Sequence, residues 1–322
     1  MGRELLILRH GKSDWGQDLD DFQRPLKDRG KRGAQRIGVW LQQQDLLPDY
    51  IVSSPAVRAL ETARKISKAM GLDSRQIKQE PAIYEAALAD LKKVLGQCPD
   101  KARRVMIVGH NPGLENLLIH LAKDKIPLPQ DGNLLPTATL AHLRMPADWH
   151  HLKAGSGELQ SITRPKQLPK KFPFPDHRGE ERRDRPAYYY TQSSAIPYRL
   201  VDGKPEILVV MSSQKKHWVV PKGISDPGMT LQESAAKEAL EEAGVEGEVE
   251  SLPLGSYSYD KWGAECTVHV YPMAVTRVLP ESVWQEKHRG RQWLAPEQAA
   301  KKLRQKALGP LIEALSKQLQ TS

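Results

Sequence analysis

Two groups of residues in this 322-residue chain have the types and spacing for phosphorus chemistry. The first is spread over four short stretches. The run Leu5-Leu6-Ile7-Leu8 ends in Arg9-His10-Gly11, DFQRPL supplies Arg24, SSPAVRALETA supplies Arg58, and VGHNP supplies His110. Guanidinium forks bind phosphate oxygens in bidentate fashion. A neutral imidazole among them can attack phosphorus and form a phosphohistidine, while the other cations stabilise charge spread over the equatorial oxygens. The second group is compact. In GISDPGMTLQESAAKEALEEAGV, Glu238, Glu241 and Glu242 fall at i, i+3 and i+4 of a helical stretch, hence on one face. Three like charges there repel unless cations or a hard divalent ion, which takes oxygen ligands, sit among them. Gly223 and Gly228 allow close backbone approach to metal or phosphate, and the helix N-terminus favours an anion.

These groups need elements to hold them. ELLILRH reads as a buried strand, GAQRIGVWLQQQ as a helix, DYIVSSP as a strand entering a turn, and VRALETARKISKAMG as a helix. LADLKKVLGQC (helix), RRVMIVGHNP (strand), LENLLIHLA (helix) and ATLAHLRM (strand) follow a short QEPAIYEA segment. Strands alternating with helices predict an α/β layered fold with a largely parallel sheet. In such sheets sites gather at the C-terminal strand ends, where Arg9, His10 and His110 fall, with Arg58 just beyond Ser53-Ser54-Pro55. From Tyr188 onward QSSAIPYRLV, EILVVMSS and HWVVPKG read as strands. A turn then feeds a helix of about 14 residues, SYSYDKW and ECTVHVYPMAV are further strands, and PEQAAKKLRQKALGPLIEALSKQL is helical.

Length predicts two domains. No run of about 18 apolar residues is present and no signal peptide is apparent, which excludes a membrane role and predicts a cytoplasmic protein. Cys98 and Cys266 lack metal-ligand spacing and read as reduced thiols. The net charge of +9 suggests anionic partners, but no recognition motif accompanies it, so nucleic acid is disfavoured. Part of the excess lies in residues 151–190, which hold nine Lys/Arg, Arg178 among them, against five acids. TRPKQLPKKFPFPDHRGEERRDRP is proline-rich and nearly free of aliphatic residues, and reads as a linker over 156–186. The domains are then 1–155 and 187–322.

LRHGKSDW, DFQRPLKDRG, SSPAVRALETA and VGHNP resemble, in order and spacing, the SixA-type members of the histidine phosphatase superfamily, over roughly residues 3–150. The resemblance implies a phosphoglycerate mutase-like fold with His10 as nucleophile and Arg9, Arg24, Arg58 and His110 holding the phosphoryl group. It implies no cofactor for that half. Glu85, in AIYEA, falls where larger members of the superfamily keep a proton donor.

The glutamate helix resembles the Nudix box, G-x5-E-x7-R-E-U-x-E-E-x-G-U with U aliphatic. Counted from Gly223, Glu238, Glu241, Glu242, Gly244 and Val245 match; Met229 stands at the first Glu, Lys237 at the Arg, and Ala239 at the aliphatic site. The resemblance, over roughly 187–322, implies a mixed-sheet Nudix fold. It also implies Mg²⁺ or Mn²⁺ at Glu238, Glu241, Glu242 and Gly223, with Glu241 in a catalytic role. SSQKKHWVVPKG and WQEKHRGRQWLAPEQA look like the diphosphoinositol and diadenosine polyphosphate hydrolase branch. By that likeness Lys222, Arg289 and Arg291, with Lys215, Lys216 and His288, would contact a polyphosphate. Glu265 and Glu286 are candidates for a further ligand or base, and Glu233 for replacing the carboxylate missing at Met229.

Three readings follow. One is a bifunctional phosphohydrolase, in which Nudix cleavage of a nucleotide-type or polyphosphate anhydride yields a phosphomonoester that His10 then strips. In another the halves act separately, the first on a phosphohistidine protein. In the third the Nudix half is a non-catalytic nucleotide or polyphosphate sensor.

Overall fold

The computed structural model describes residues 2–16, 18–130, 132–146, 148–174 and 182–321. The chain divides into two compact units, 1–172 and 173–322, each with its own sheet.

The first unit runs β1 (Arg3–Arg9), α1 (Asp28–Gln43), β2 (Tyr50–Ser53), α2 (Val57–Ala69), β3 (Lys78–Gln79), α3 (Leu88–Gly96), β4 (Arg104–Gly109), α4 (Gly113–Leu121), β5 (Leu140–Met145) and β6 (Glu158–Thr163). The sheet order is β3-β2-β4-β1-β5-β6. β1 to β4 pair in parallel, and β5 and β6 are antiparallel additions at one edge. The opening run of four apolar residues is explained by burial on both faces. Leu5 and Ile7 pack with the leucines of α3 and α4. Leu6 and Leu8 pack with Ala34, Ile37 and Leu41 of α1 and with Ala59, Ala63 and Ile66 of α2. All four β1 side chains are fully buried, each worth roughly 1.5–3 kcal/mol. A central strand covered on both sides reads as a continuous apolar run, and it stops at Arg9-His10 because there the sheet ends and polar groups gather.

The second unit opens near the two-residue strands β7 (Phe172–Pro173) and β8 (Arg182–Arg183). It continues with β9 (Thr191–Val201), β10 (Lys204–Met211), β11 (Trp218–Val219), β12 (Lys222–Ile224), α5 (Leu231–Glu238), a π-helical turn (Ala239–Ala243), β13 (Val245–Val249), β14 (Gly255–Lys261), β15 (Ala264–Val278), β16 (Arg291–Leu294), α6 (Pro296–Lys302) and α7 (Leu308–Thr321). The sheet is mixed: β9 pairs in parallel with β15 and antiparallel with β10 and β12. One face carries Ile196, Ile207, Val209, Val268 and Val270 against α6 and α7. The other carries Ala195, Leu208, Val210, Tyr271 and Met273 against α5 and the π turn.

Three expectations change. The stretch read as linker contains β6, which pairs with β5 and packs Leu159 and Ile162 on the core. In ELQSIT a register shift at Gln160 turns both Leu159 and Ile162 inward while Glu158 and Gln160 stay exposed, so low aliphatic content disguised an edge strand. Residues 175–181 of that stretch, with Arg178, lie outside the described residues. HWVVPKG is two strands, not one. β11 joins β10 and β12 joins β9, with Pro221 between them, where the chain changes partner. The glutamate helix is shorter as an α-helix than expected, because its last turn widens to π geometry before Gly244 ends it in the left-handed conformation, φ 62°.

α1 and α2 meet closely at Gly38, where an added Cβ would lie 2.6 Å from the Ile66 carbonyl oxygen and 2.7 Å from the Ala69 Cβ. Gly38→Ala gains up to about 1 kcal/mol of helix propensity, but forcing a methyl against backbone costs about 1–3 kcal/mol. The variant is expected to be less stable in urea denaturation; equal or greater stability would contradict this packing.

Candidate active sites

The first site assembles at the C-terminal ends of β1, β2 and β4. The His10 Nδ1 lies 2.7 Å from the Gly11 carbonyl oxygen. A carbonyl only accepts, so Nδ1 carries the proton and Nε2 keeps its lone pair. The Gly11 N–H donates to Thr62 Oγ1 at 2.9 Å, and that hydroxyl donates to the Arg58 carbonyl at 2.6 Å, which ties the loop after β1 to α2. The His10 and His110 ring centroids are 5.1 Å apart, and His110 Nε2 is 2.9 Å from Ser54 Oγ. Arg9 donates to the Leu135 carbonyl at 2.8 Å.

Arg9, Arg24, Arg58, His10 and His110 are thus brought together. Arg24, Arg58, His10 and His110 are buried and Arg9 is half-buried. Nε of Arg9, Nε and Nη1 of Arg24, Nε of Arg58 and Nδ1 of His110 find no hydrogen-bond partner among the described residues. Buried polar groups are rarely left orphaned, so a pocket with several unpaired cationic donors fits an anion. Burial and the surrounding arginines lower the His10 pKa to about 4, although the Gly11 carbonyl opposes this. Burial, followed by His10 and Arg58, lowers that of His110 to about 3. Both rings are neutral at pH 7, the state a histidine nucleophile needs.

Sequence reading missed two residues here. Asp21 takes Arg24 at 2.7 Å on one carboxylate oxygen, and Arg58 at 2.7 Å and the Tyr84 hydroxyl at 2.9 Å on the other. Burial opposes its ionised form, yet the Tyr84 hydroxyl and the two arginines hold its pKa below the usual carboxylate range. Tyr84 stands edge-on to His110, centroids 5.5 Å apart. The signal for Asp21 was present in DFQRPL, three residues before Arg24. Glu85 is exposed, with φ 53°. It perturbs Tyr84 but is not among the groups that shift His10 or His110.

The second site lies where β12 meets α5 and the π turn. A Cβ on Gly223 would fall 2.1 Å from the Glu238 carboxyl carbon, so only glycine lets that carboxylate lie against the β12 backbone. Burial, then Glu242, raises the Glu238 pKa to about 7, with Glu241 adding to the rise and Lys237 opposing it. Glu242 is also raised by burial, although it accepts the Lys222 N–H at 3.0 Å and pairs with Arg289 at 2.6 Å. Oxygen donors whose negative charges are costly to bury together suit a hard divalent cation. Glu238, Glu242 and the Gly223 backbone fit one by donor type, with Glu241 close enough to act on Glu238. No preformed group of three metal-ligating side chains exists among the described residues.

The remaining expected residues divide. Lys222 Nζ donates to Gln192 at 2.8 Å and to the Tyr259 hydroxyl at 3.0 Å; Gln192 and Tyr259 were missed because they lie on distant strands. Lys237 reaches Asp226 at 3.4 Å, so a lysine–aspartate pair joins the loop to the helix where Met229 cannot. Glu233 does not replace the missing carboxylate: it closes a capping box with Thr230, at 2.7 and 3.1 Å. Arg289 is buried and engaged with Glu242 and Glu286, and so is not a free polyphosphate contact. Arg291 is corrected more firmly. It donates to the carbonyls of Ala243, Gly244 and Leu279 at 2.5–3.0 Å and covers the Trp284 ring, so it caps the π turn. Lys215, Lys216 and His288 are exposed, and Glu265 is exposed on β15 opposite Asp260.

Comparison with known proteins agrees with this division. Residues 5–104 match the histidine phosphatase superfamily (branch 1) and residues 191–315 the NUDIX domain. The chain is 33% identical over 142 residues to Nudix hydrolase 12, mitochondrial, of Arabidopsis thaliana, covering 36% of this chain and 69% of that protein. It is 28% identical over 156 residues to an uncharacterized protein of Mycobacterium tuberculosis, covering 47% and 96%. A structure of the protein histidine phosphatase SixA complexed with tungstate is 19% identical, with a TM-score of 0.43, covering 51% of this chain and 98% of that one. The chain belongs to two hydrolase families, to the histidine phosphatase superfamily through its first half and to the Nudix hydrolases through its second.

Two expectations follow. With a substrate that does not titrate in the range, kcat/KM of the phosphatase half, which reports the free enzyme, should stay level from pH 8 to pH 5. It should fall only as His10 takes up a proton near pH 4; an acid limb centred near 6.5 would contradict the buried neutral ring. Arg291→Ala strands three carbonyls, and the unfolding free energy of the second unit should drop by about 2–4 kcal/mol, read by chemical denaturation.

Proposed function

We propose that the chain is a bifunctional phosphohydrolase. The first half transfers a phosphoryl group to His10 and then to water; the second cleaves a nucleotide-type or polyphosphate anhydride with Mg²⁺ or Mn²⁺. The observation that carries the first part is the set of buried arginine nitrogens unpaired among the described residues, around a His10 whose Nδ1 is engaged by the Gly11 carbonyl so that Nε2 keeps its lone pair. In the first step Nε2 forms a bond to phosphorus as the bond to the leaving group breaks, and the leaving group departs with the electron pair. Water then displaces His10 from phosphorus, releasing inorganic phosphate and restoring the neutral ring. Arg9, Arg24 and Arg58 hold the oxygens and offset their charge. With Glu85 exposed and His110 too weakly basic to carry a proton near neutrality, the site suits leaving groups that need no proton from the protein. A phosphate qualifies, and so does an imidazole already protonated on its other nitrogen, as on a phosphohistidine protein.

Glu238, Glu242 and the Gly223 backbone would hold the cation, with Glu241 beside them. When bound, the cation supplies Lewis-acid polarisation of the anhydride. Lys222, anchored by Gln192 and Tyr259, presents positive charge next to the carboxylates. The Arg289–Glu242 pair supports a second reading, a half that binds nucleotide or polyphosphate without cleaving it, since an arginine already neutralises one ligand. The two buried cysteines, free as thiols, support a reducing compartment such as the cytoplasm.

A panel of nucleoside triphosphates, diadenosine polyphosphates and ADP-ribose, with and without Mg²⁺, tests both parts. Gly223→Ala and Glu238→Gln should lower metal-dependent cleavage at least 100-fold and leave phosphatase activity intact. His10→Ala should keep the cleavage but let its phosphorylated product accumulate. Metal-dependent binding with no cleavage of any compound would establish the second reading instead.

A further inference from the structure

The first unit holds a cavity of about 700 Å³ that none of the site residues expected from sequence lines. It lies between the first half of α1, the segment 133–139 and the segment 164–170. Seven lysines and arginines line it, and no aspartate or glutamate does among the described residues. Arg29, Arg32 and Arg36 stand at i, i+3 and i+7 of α1, on one face, spanning about 10 Å of helix. Arg164, Lys166 and Lys170 approach from the opposite wall. Lys12, Arg29, Lys166 and Lys170 are exposed and Arg32, Arg36 and Arg164 half-buried, so like charges line one open cavity. Burial, with Arg32 and Arg29 beside it, lowers the Arg36 pKa, and the Arg36 Nε finds no hydrogen-bond partner among the described residues. A second, uncharged group points the same way. Thr139 lines the cavity, is fully buried, and its Oγ1 finds no partner among those residues either. α1 also begins without a side-chain cap.

We propose that this cavity is a second anion site, for a small polyphosphorylated molecule of about three phosphates. The length of the arginine row sets that size. The volume is that of a small-molecule site, but the lining replaces the usual apolar walls with guanidinium and ammonium groups. The site communicates with the nucleophile through backbone. The Ala138 N–H donates to the His10 carbonyl at 3.0 Å, the Arg9 N–H donates to the Thr139 carbonyl at 3.2 Å, and the Arg9 side chain reaches Leu135. A ligand that orders 133–139 therefore orders the frame of Arg9 and His10. The site does not depend on hydrolysis at either centre.

The test uses the full chain carrying His10→Ala and Glu238→Gln, without divalent metal, so that the probe, inorganic tripolyphosphate, is not consumed. Calorimetric titration should show a binding event that Arg36→Gln with Arg164→Gln weakens at least tenfold. Hydrogen exchange should slow in 133–139 and 164–170 on addition of tripolyphosphate, and not in that variant. Lys166→Gln with Lys170→Gln, both exposed side chains, gives the same test without disturbing the interior and should weaken binding several-fold. Inorganic phosphate should bind far more weakly. Unchanged affinity in both pairs of variants, protection confined to other segments, or protection by single-stranded RNA but not by tripolyphosphate would each overturn the proposal.

Discussion

A buried, uncharged imidazole among arginines is the constraint around which the first half of this protein is arranged. Left in water, His10 would be partly protonated near neutrality and a poor nucleophile when charged. The fold removes solvent, adds positive neighbours and fixes the proton on Nδ1 with the Gly11 carbonyl. Each of these needs the end of β1 to sit beside the end of β4 and the start of α2, so burial of Leu5 to Leu8 on both sheet faces is what brings the chemistry about. The arginines are not neutralised throughout: Asp21 engages Nη2 of Arg24 and of Arg58, while Nε of both and Nη1 of Arg24 find no partner among the described residues. Asp21 thereby orients the pair without filling the pocket.

The second half solves the opposite electrostatic problem. There the buried groups are carboxylates, and burial together with mutual repulsion raises Glu238 to about 7. Gly223 removes the side chain that would otherwise keep Glu238 from the backbone. The π turn, ended by Gly244 and capped by Arg291, carries Glu241 and Glu242 and so sets how they are presented beside Glu238. Arg289 offsets part of the charge on Glu242, and the Asp226–Lys237 pair ties the loop to the helix.

Much of this was legible in the sequence, because motifs made of charged residues next to glycine and proline have few structural explanations. The strand ends carrying Arg9, His10 and His110 and the carboxylates Glu238 and Glu242 were read directly. What escaped were partners remote in sequence: Asp21 with Tyr84, and Lys222 with Gln192 and Tyr259, which only the sheet brings together. The roles of Arg289 and Arg291 were misread for a related reason. A basic residue near a polyanion site looks the same in sequence whether it faces the ligand or a carbonyl, and here each is used by the protein itself. β6 was hidden because a register shift breaks its alternation, leaving Leu159 and Ile162 three apart on the core side, and its neighbourhood is rich in lysine and proline.

The central claim is that neutral His10 is the phosphoryl acceptor. The most direct measurement is rapid acid-free quenching of the full chain with a phosphoryl donor carrying a radioactive terminal phosphate. A base-stable, acid-labile label located on His10 and absent in His10→Ala is the predicted result. Turnover without such a label, or an equal label in His10→Ala, would contradict the account.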